Sequence, residues 1–95
     1  MLNTKEQEQI LTANLGKKIR YCRKCIRYSQ KEICTLFSIE RSALSKYEKG
    51  VHRPKIDFLL NVSEYFYINL YDLCSPKVSI EEFSIRYPQE YFKLL

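Results

Sequence analysis

The segment SQKEICTLFSIERSALSKYEKG, residues 29–50, constrains the fold more than any other part of the chain. Ser29 followed three residues later by Glu32 is a capping box, which predicts the start of a helix. Ser38 interrupts the apolar pattern, and Gly50 can adopt the left-handed backbone that ends a helix. The segment therefore predicts two short helices joined by a tight turn. Because helices of this length are marginally stable alone, they must pack against the rest of the chain.

The remainder of the chain also has the spacing of helices. Apolar residues recur every three or four positions, and two glycines and three prolines are too few for a turn-rich sheet protein. Thr4 and Gln7 form a capping box that predicts a short helix over about residues 4–13. Asn14 is predicted to cap a separate helix that runs to about Arg27. Further helices are predicted over about residues 56–67 and 69–74, and from Ser79 onward. The chain is thus predicted to be all-α.

Positive charge is concentrated in the first half of the chain. Residues 15–55 hold twelve lysines and arginines but only three acids, whereas the whole chain has a net charge of +5. The remaining residues are therefore net acidic. A chain divided in this way has one pole that attracts a polyanion, and a solvated charged helix face is the simpler alternative.

The stretch from Leu15 to Leu73 resembles the helix-turn-helix family of phage Cro and CI repressors, also called the XRE family. The segments that carry the resemblance are LGKKI, Arg23, SQKEIC, LFSIERSALSKYEKG, Pro54 and YINLYDL. The resemblance implies a five-helix lambda-repressor-like DNA-binding domain over residues 15–74, with the helix-turn-helix at about 30–50. An N-terminal extension over 1–14 and a short helical C-terminal extension over 75–95 lie outside it.

The same resemblance implies a sequence-specific transcriptional regulator of double-stranded DNA, most simply a repressor that binds a two-fold operator as a dimer. The helix that starts near Arg41 would be the recognition helix. The residues at the family's base-reading positions are Arg41, Ser42, Ser45 and Lys46. The residues expected at the DNA backbone or at flanking bases are Gln30, Lys31, Lys49, His52, Arg53 and Lys55.

Three more residues of this region have roles that the resemblance suggests. Arg23 and Glu48 occupy the positions of a partly buried ion pair that links the first helix to the recognition helix. Glu40 replaces the usual Ser or Thr at the start of the recognition helix. Its carboxylate either caps that helix or accepts a hydrogen bond from a cytosine amino group.

The cysteines raise the question of a metal site. Cys22 and Cys25 form a C-x-x-C, and a zinc site would need Cys34 and His52 to converge on them. The three cysteines instead occupy apolar positions of the helical pattern, where a free cysteine acts as a small hydrophobic residue. We predict a structural role, with zinc binding and redox sensing as the alternatives. Neither a metal nor a cofactor is expected.

Aromatic residues are concentrated in the C-terminal part, with nine of the thirteen between Phe58 and Phe92. Tyrosine and phenylalanine are enriched at protein interfaces, and the basic pole of one copy would repel that of another. A homodimer is therefore expected. The candidate interface residues are Tyr67, Tyr71, Ile80, Phe83, Tyr87, Tyr91 and Phe92. The alternative is that the tail folds back onto its own domain and extends the core.

Other functional classes are less consistent with the residues present. The sequence has one histidine, no evident nucleophile–base spacing and no glycine-rich phosphate loop, so an enzyme is not expected. An antitoxin or an interaction adaptor that keeps the fold remains an alternative, with a toxin or a protein antagonist as its partner. No apolar run approaches the roughly 18 residues of a membrane span. The start, MLNTKEQEQ, has no signal-peptide core, so we expect a cytoplasmic protein without a membrane partner.

Overall fold

The computed structural model describes residues 3–94, in which six α-helices precede one 3₁₀ helix. The elements are α1 (Thr4–Cys25), α2 (Gln30–Phe37), α3 (Arg41–Glu48), α4 (Ile56–Phe66), α5 (Leu70–Cys74), α6 (Ile80–Arg86) and the 3₁₀ helix (Gln89–Leu94). These residues contain no strand, so the prediction of an all-α fold is confirmed. None of the described helices is long and apolar enough to cross a membrane. Residues 1–2 and 95 of the predicted extensions lie outside the described residues.

The first helix is continuous, which corrects the prediction of two helices separated at Asn14. The capping box at its start joins Asn3 and Glu6, not Thr4 and Gln7. Asn14 lies inside α1, where its Nδ2 donates a hydrogen bond to the Val78 carbonyl at 3.1 Å. A few polar residues in one turn do not stop a helix, and Gly16, two residues after Asn14, lies inside α1 in close contact with α3. Residues 4–14 are therefore continuous with the following residues through α1.

The predicted signals around α2 and α3 are present in the structure. The Ser29 Oγ accepts a hydrogen bond from the Glu32 N–H at 3.1 Å, and the Glu32 carboxylate accepts one from the Ser29 N–H at 3.0 Å. Ser38 ends α2 in the left-handed region with φ 55°, and Gly50 follows α3 with φ 73°. These two left-handed residues separate the short helices cleanly from their neighbours.

The core is formed by the inward faces of all six helices. Its buried apolar residues are Leu15, Ile19, Cys22, Ile33, Leu44, Tyr47, Phe58, Leu59, Val62, Phe66, Ile68, Leu73, Val78, Phe83, Tyr87 and Phe92. Helix α1 crosses the end of α3 at Gly16, where a Cβ atom would lie 3.0 Å from the Glu48 carbonyl oxygen and closer still to that of Tyr47. The contact between α1 and α3 therefore requires glycine at this position.

The C-terminal tail folds back onto α1, which was the alternative to a tail that forms a dimer. The Tyr21 ring of α1 meets Phe83 and Phe92 edge-on, with centroid distances of 5.9 and 6.1 Å. The Tyr21 hydroxyl donates to the Tyr87 carbonyl at 2.8 Å. Phe83, Tyr87 and Phe92 are buried in the chain's own core, so the prediction that they lie at a dimer surface is wrong.

A buried lysine fastens α5 and the start of the tail to α1. Lys18 has 0% of its surface exposed, and its Nζ donates to the carbonyls of Asp72 at 2.8 Å and Ser75 at 3.0 Å. The same Nζ lies 5.5 Å from the centre of the Phe83 ring, in cation–π geometry. Burial lowers the pKa of Lys18 to about 8, an effect that the nearby Cys74 and Asp72 oppose.

Candidate functional site

Helix α3 presents a polar face to solvent. Arg41, Ser42 and Lys46 are exposed and Ser45 is half-buried, whereas Leu44 is fully buried on the opposite side. Positions i, i+1, i+4 and i+5 lie on one side of a helix, so the four polar residues share a face. The structure thus brings together two cationic side chains and two hydroxyls on a helix only eight residues long.

An ion pair between α1 and α3 holds that face in place. The Arg23 Nε donates to Glu48 Oε2 at 2.7 Å and the Arg23 Nη2 donates to Glu48 Oε1 at 2.9 Å. The Arg23 Nη1 donates to the Tyr28 carbonyl at 2.8 Å. Gln30, at the start of α2, is half-buried and donates from Nε2 to Glu48 Oε1 at 3.3 Å. The Glu48 carboxylate therefore connects the end of α1, the start of α2 and the end of α3.

A basic loop follows α3. Lys49, His52, Arg53 and Lys55 are all exposed, as is Lys31 in the first turn of α2. The salt bridges within residues 3–94 join Arg23 to Glu48, and Arg86 to Asp72 and Glu82. None of the cations in the loop is neutralised in this way. They therefore leave a positive surface beside the polar face of α3.

Glu40 is exposed at the N-cap of α3, and its side chain makes no capping hydrogen bond. The structure therefore lacks the capping interaction that was one of the two roles suggested for Glu40. Its carboxylate therefore projects from the start of α3 with its acceptor sites available.

The N-terminal turns of α1 lie beside the basic loop. A cavity of about 490 Å³ is bounded by Lys5 and Gln9 of α1 and by His52, Arg53 and Lys55 of the loop. Lys5 and Gln9 were not among the predicted site residues, because the predicted break at Asn14 separated them from the domain. A prediction of one continuous α1 would have placed Lys5 and Gln9 in the same helix as the rest of the domain.

The four cysteines are free thiols, and each is at least partly buried. Cys22 is buried, and Cys25, Cys34 and Cys74 are half-buried. Burial raises the pKa of the Cys22 thiol, so it stays protonated at neutral pH. Within the described part of the chain, no three His, Cys, Asp or Glu side chains are grouped closely enough to hold a metal ion.

Two of the predicted dimer residues remain at the surface. Tyr67 is 74% exposed and Tyr71 is 60% exposed, whereas Ile80 and Tyr91 are half-buried against the core. Tyr67 ends α4 with φ 54°, a left-handed conformation that disfavours bulky side chains. The Tyr91 hydroxyl donates to the Tyr67 carbonyl, so the 3₁₀ helix supports this turn.

Comparison with known proteins gives one match. A helix-turn-helix family model, that of Cro/CI-type (XRE) regulators, matches residues 19–73, which is more than half of the chain. The matched range begins within α1 and ends in α5, and it includes the polar face of α3 and the basic loop. No curated protein and no solved structure gives a significant match.

Proposed function

The chain belongs to the helix-turn-helix family of Cro/CI-type (XRE) proteins, which are DNA-binding transcription regulators. We propose that it is a repressor that reads a two-fold operator as a dimer. The observation that carries the proposal is the exposed polar face of α3 beside a basic loop whose cations form no salt bridge within residues 3–94. A protein that occupies a promoter in this way needs no catalytic group and acts in the compartment that holds the DNA, the cytoplasm.

The base-reading residues are Arg41, Ser42, Ser45 and Lys46. In a helix-turn-helix the second helix lies in the major groove with its N-terminal residues at the base edges. Arg41, in the first turn of α3, can donate to guanine O6 and N7 together, and Lys46 also favours guanine. The two serines tolerate several bases. We therefore expect G·C pairs at the positions that the two cations read.

A second group of residues positions the protein on the DNA. Phosphate contacts fix register and orientation without choosing the sequence. The proposed backbone or flanking contacts are Gln30, Lys31, Lys49, His52, Arg53 and Lys55. The side-chain amide of Gln30 has one further N–H beyond the one directed at Glu48, which supports a role at the boundary between scaffold and DNA.

A dimer follows from the small size of one reading surface. Four readers on one helix cover only a few base pairs, and two copies related by a two-fold axis would double the site. Half-sites would then lie about 10 base pairs, or roughly 34 Å, apart. We place the interface at the exposed rings of Tyr67 and Tyr71, with Ile80 and Tyr91 at its edge. None of these four residues is among the proposed DNA contacts.

Binding to labelled duplexes distinguishes this function from that of an interaction adaptor with the same fold. We expect the full chain to bind duplex DNA with an affinity that falls steeply with salt, because each neutralised phosphate releases counterions. An adaptor would show little duplex affinity at any salt concentration. For the dimer, sedimentation of Tyr67→Asn with Tyr71→Ser should give a monomer where the unmodified chain gives a dimer. Asn tolerates the left-handed backbone of position 67. A monomeric unmodified chain at tens of micromolar would contradict the dimer.

A further inference from the structure

A cleft lies between the end of α1 and the C-terminal 3₁₀ helix, away from the α3 face and the basic loop. It has a volume of about 440 Å³, and its lining includes Arg27, Tyr28, Tyr65, Gln89, Phe92 and Lys93. This volume lies in the range of small-molecule sites, which is roughly 300–1,000 Å³. The cleft combines aromatic walls with cationic and amide groups, which is the usual composition of a site for a small polar ligand.

Arg27 occupies a backbone position that is unfavourable for an arginine. Its φ is 60°, in the left-handed region, immediately after the end of α1. The Arg27 N–H donates to the Lys24 carbonyl at 3.0 Å, and the Tyr28 N–H donates to that of Arg23 at 3.2 Å. Glycine is the residue that normally follows a helix in this conformation, because a Cβ atom is strained there. Strain kept at one residue is often associated with a function of its side chain.

Two cations, Arg27 and Lys93, line the cleft. Arg27 and Lys93 are both exposed, and neither forms a salt bridge with any carboxylate in residues 3–94. Glu90 is on the same 3₁₀ helix as Lys93 but is not among the residues that line the cleft. Two like charges that line one cleft repel each other, and an anion between them would be attracted to both.

The remaining walls favour a planar, aromatic ligand. Tyr28 and Tyr65 are half-buried and provide ring surfaces, which pair with other rings in offset or edge-on geometry, whereas the ring of Phe92 is buried and offers almost no surface to a ligand. Phe92 is itself held by Phe66 at a centroid distance of 5.7 Å, so that wall is fixed by the core. Burial, together with the neighbouring Tyr28, raises the pKa of Tyr65. Its hydroxyl is therefore protonated at neutral pH and interacts with the Tyr28 side chain.

We propose that this cleft binds a small aromatic carboxylate, with the carboxylate between Arg27 and Lys93 and the ring against Tyr28 and Tyr65. Gln89 supplies an amide N–H to the same end of the ligand. The bound molecule connects the end of α1, which is inside the matched range, to the 3₁₀ helix, which is outside it. The site shares no residue with the proposed DNA contacts, although Tyr28 lies beside Lys31.

Calorimetric titration of the full chain tests the site with three probes: benzoate, the neutral isostere benzamide, and inorganic phosphate. We expect saturable binding of benzoate, with benzamide and phosphate at least about tenfold weaker, because each lacks either the charge or the ring. Arg27→Gly is the informative variant. It should raise the melting temperature by a few degrees by removing the left-handed strain, and weaken benzoate binding about tenfold.

Two further variants complete the design. Lys93→Ala should weaken benzoate binding without the gain in melting temperature, since its backbone is not left-handed. Lys24→Ala, an exposed cation of α1 that does not line the cleft, should leave benzoate binding unchanged. The proposal is wrong if benzoate does not bind saturably at millimolar concentration, if benzamide binds equally well, or if Arg27→Gly binds benzoate like the unmodified chain. It is also wrong if Arg27→Gly and Lys93→Ala lose only duplex affinity, which would make these cations phosphate contacts.

Discussion

The guanidinium of Arg23 and the carboxylate of Glu48 are joined by two parallel hydrogen bonds of 2.7 and 2.9 Å. Arg23 is 8% exposed and Glu48 is 9% exposed, so the pair is largely withdrawn from water. Arg23 also donates to the Tyr28 carbonyl, and Glu48 also accepts a hydrogen bond from the amide of Gln30. A buried pair tolerates withdrawal from water only when its other polar atoms are satisfied in this way. The orientation of α3 is therefore fixed by the protein before any ligand binds.

Removal of one partner of this pair should destabilise the fold. We expect Glu48→Ala to lower the free energy of unfolding by about 3–5 kcal/mol, because it leaves the Arg23 charge buried without a partner. Urea unfolding of Glu48→Ala, Arg23→Ala and the double variant measures the coupling. The double variant should lose less than the sum of the two single losses. Additive losses would show that the two residues do not interact directly.

The buried Lys18 should make stability depend on pH in an alkaline window. Burial lowers its pKa to about 8 in the folded protein, below the usual lysine value of about 10.4. Between these two values the unfolded chain binds a proton that the folded chain does not, so the free energy of unfolding rises with pH. We expect a gain of about 2 kcal/mol from this residue across the window.

Buried thiols and phenols oppose that trend, since burial raises the pKa of Cys22 and Tyr87. The informative quantity is therefore the difference in unfolding free energy between the unmodified chain and Lys18→Met, measured from pH 7.5 to 10.5. Lys18→Met should be less stable by about 1–3 kcal/mol at neutral pH, because the Asp72 and Ser75 carbonyls lose their donor. The difference should then grow with pH. A difference that shrinks with pH would contradict the lowered pKa.

Gly16 should not accept even a methyl group. A Cβ atom there would lie inside van der Waals contact with the carbonyl oxygens of Tyr47 and Glu48, which are backbone atoms and cannot rotate away. We expect Gly16→Ala to destabilise the fold by about 1–3 kcal/mol, although alanine favours helix formation. Lys17→Ala, at the exposed neighbouring position, is the matched control and should be nearly neutral. A Gly16→Ala variant as stable as this control would show that α1 and α3 can separate without loss.

The two classes of proposed DNA contact should respond differently to truncation. Arg41→Ala or Lys46→Ala should cost about 1–3 kcal/mol on the preferred duplex and relax the base preference at one position. Arg53→Ala should weaken all duplexes alike and reduce the salt slope by about 1. Anisotropy titrations at several salt concentrations separate the two effects. Lys77→Ala, which removes an exposed lysine that is not a proposed DNA contact, is the control. If Arg41→Ala left the base preference unchanged, α3 would not be the reading helix.

Local signals in the sequence were sufficient for the helix-turn-helix itself. The capping box of Ser29 and Glu32, the left-handed Ser38 and the glycine after α3 all act within a few residues of their own position. Their physical effect does not depend on the rest of the fold, so the boundaries of α2 and α3 could be predicted. The same is true of the exposed face of α3, because helical spacing alone separates Leu44 from the polar residues.

Long-range contacts account for what the sequence did not reveal. Lys18 was counted only as positive charge, because its partners are carbonyls more than 50 residues away. The sequence predicts a cap at Asn14 because its hydrogen bond to Val78 cannot be read from neighbouring residues. The aromatic tail packs on its own chain because Tyr21 of α1 contacts Phe83 and Phe92. These contacts are distant in the sequence, so the sequence did not show whether the tail packs on its own chain or on a second copy.

A binding selection from random duplexes with the full chain shows whether α3 reads a specific DNA sequence. We predict an enriched, two-fold symmetric site with half-sites about 10 base pairs apart. The same selection with Arg41→Ala should return a site that has lost one G·C position. Selection that enriches no sequence, with affinity no tighter than the roughly 10⁻⁴–10⁻⁶ M of non-specific binding at physiological salt, would contradict the claim.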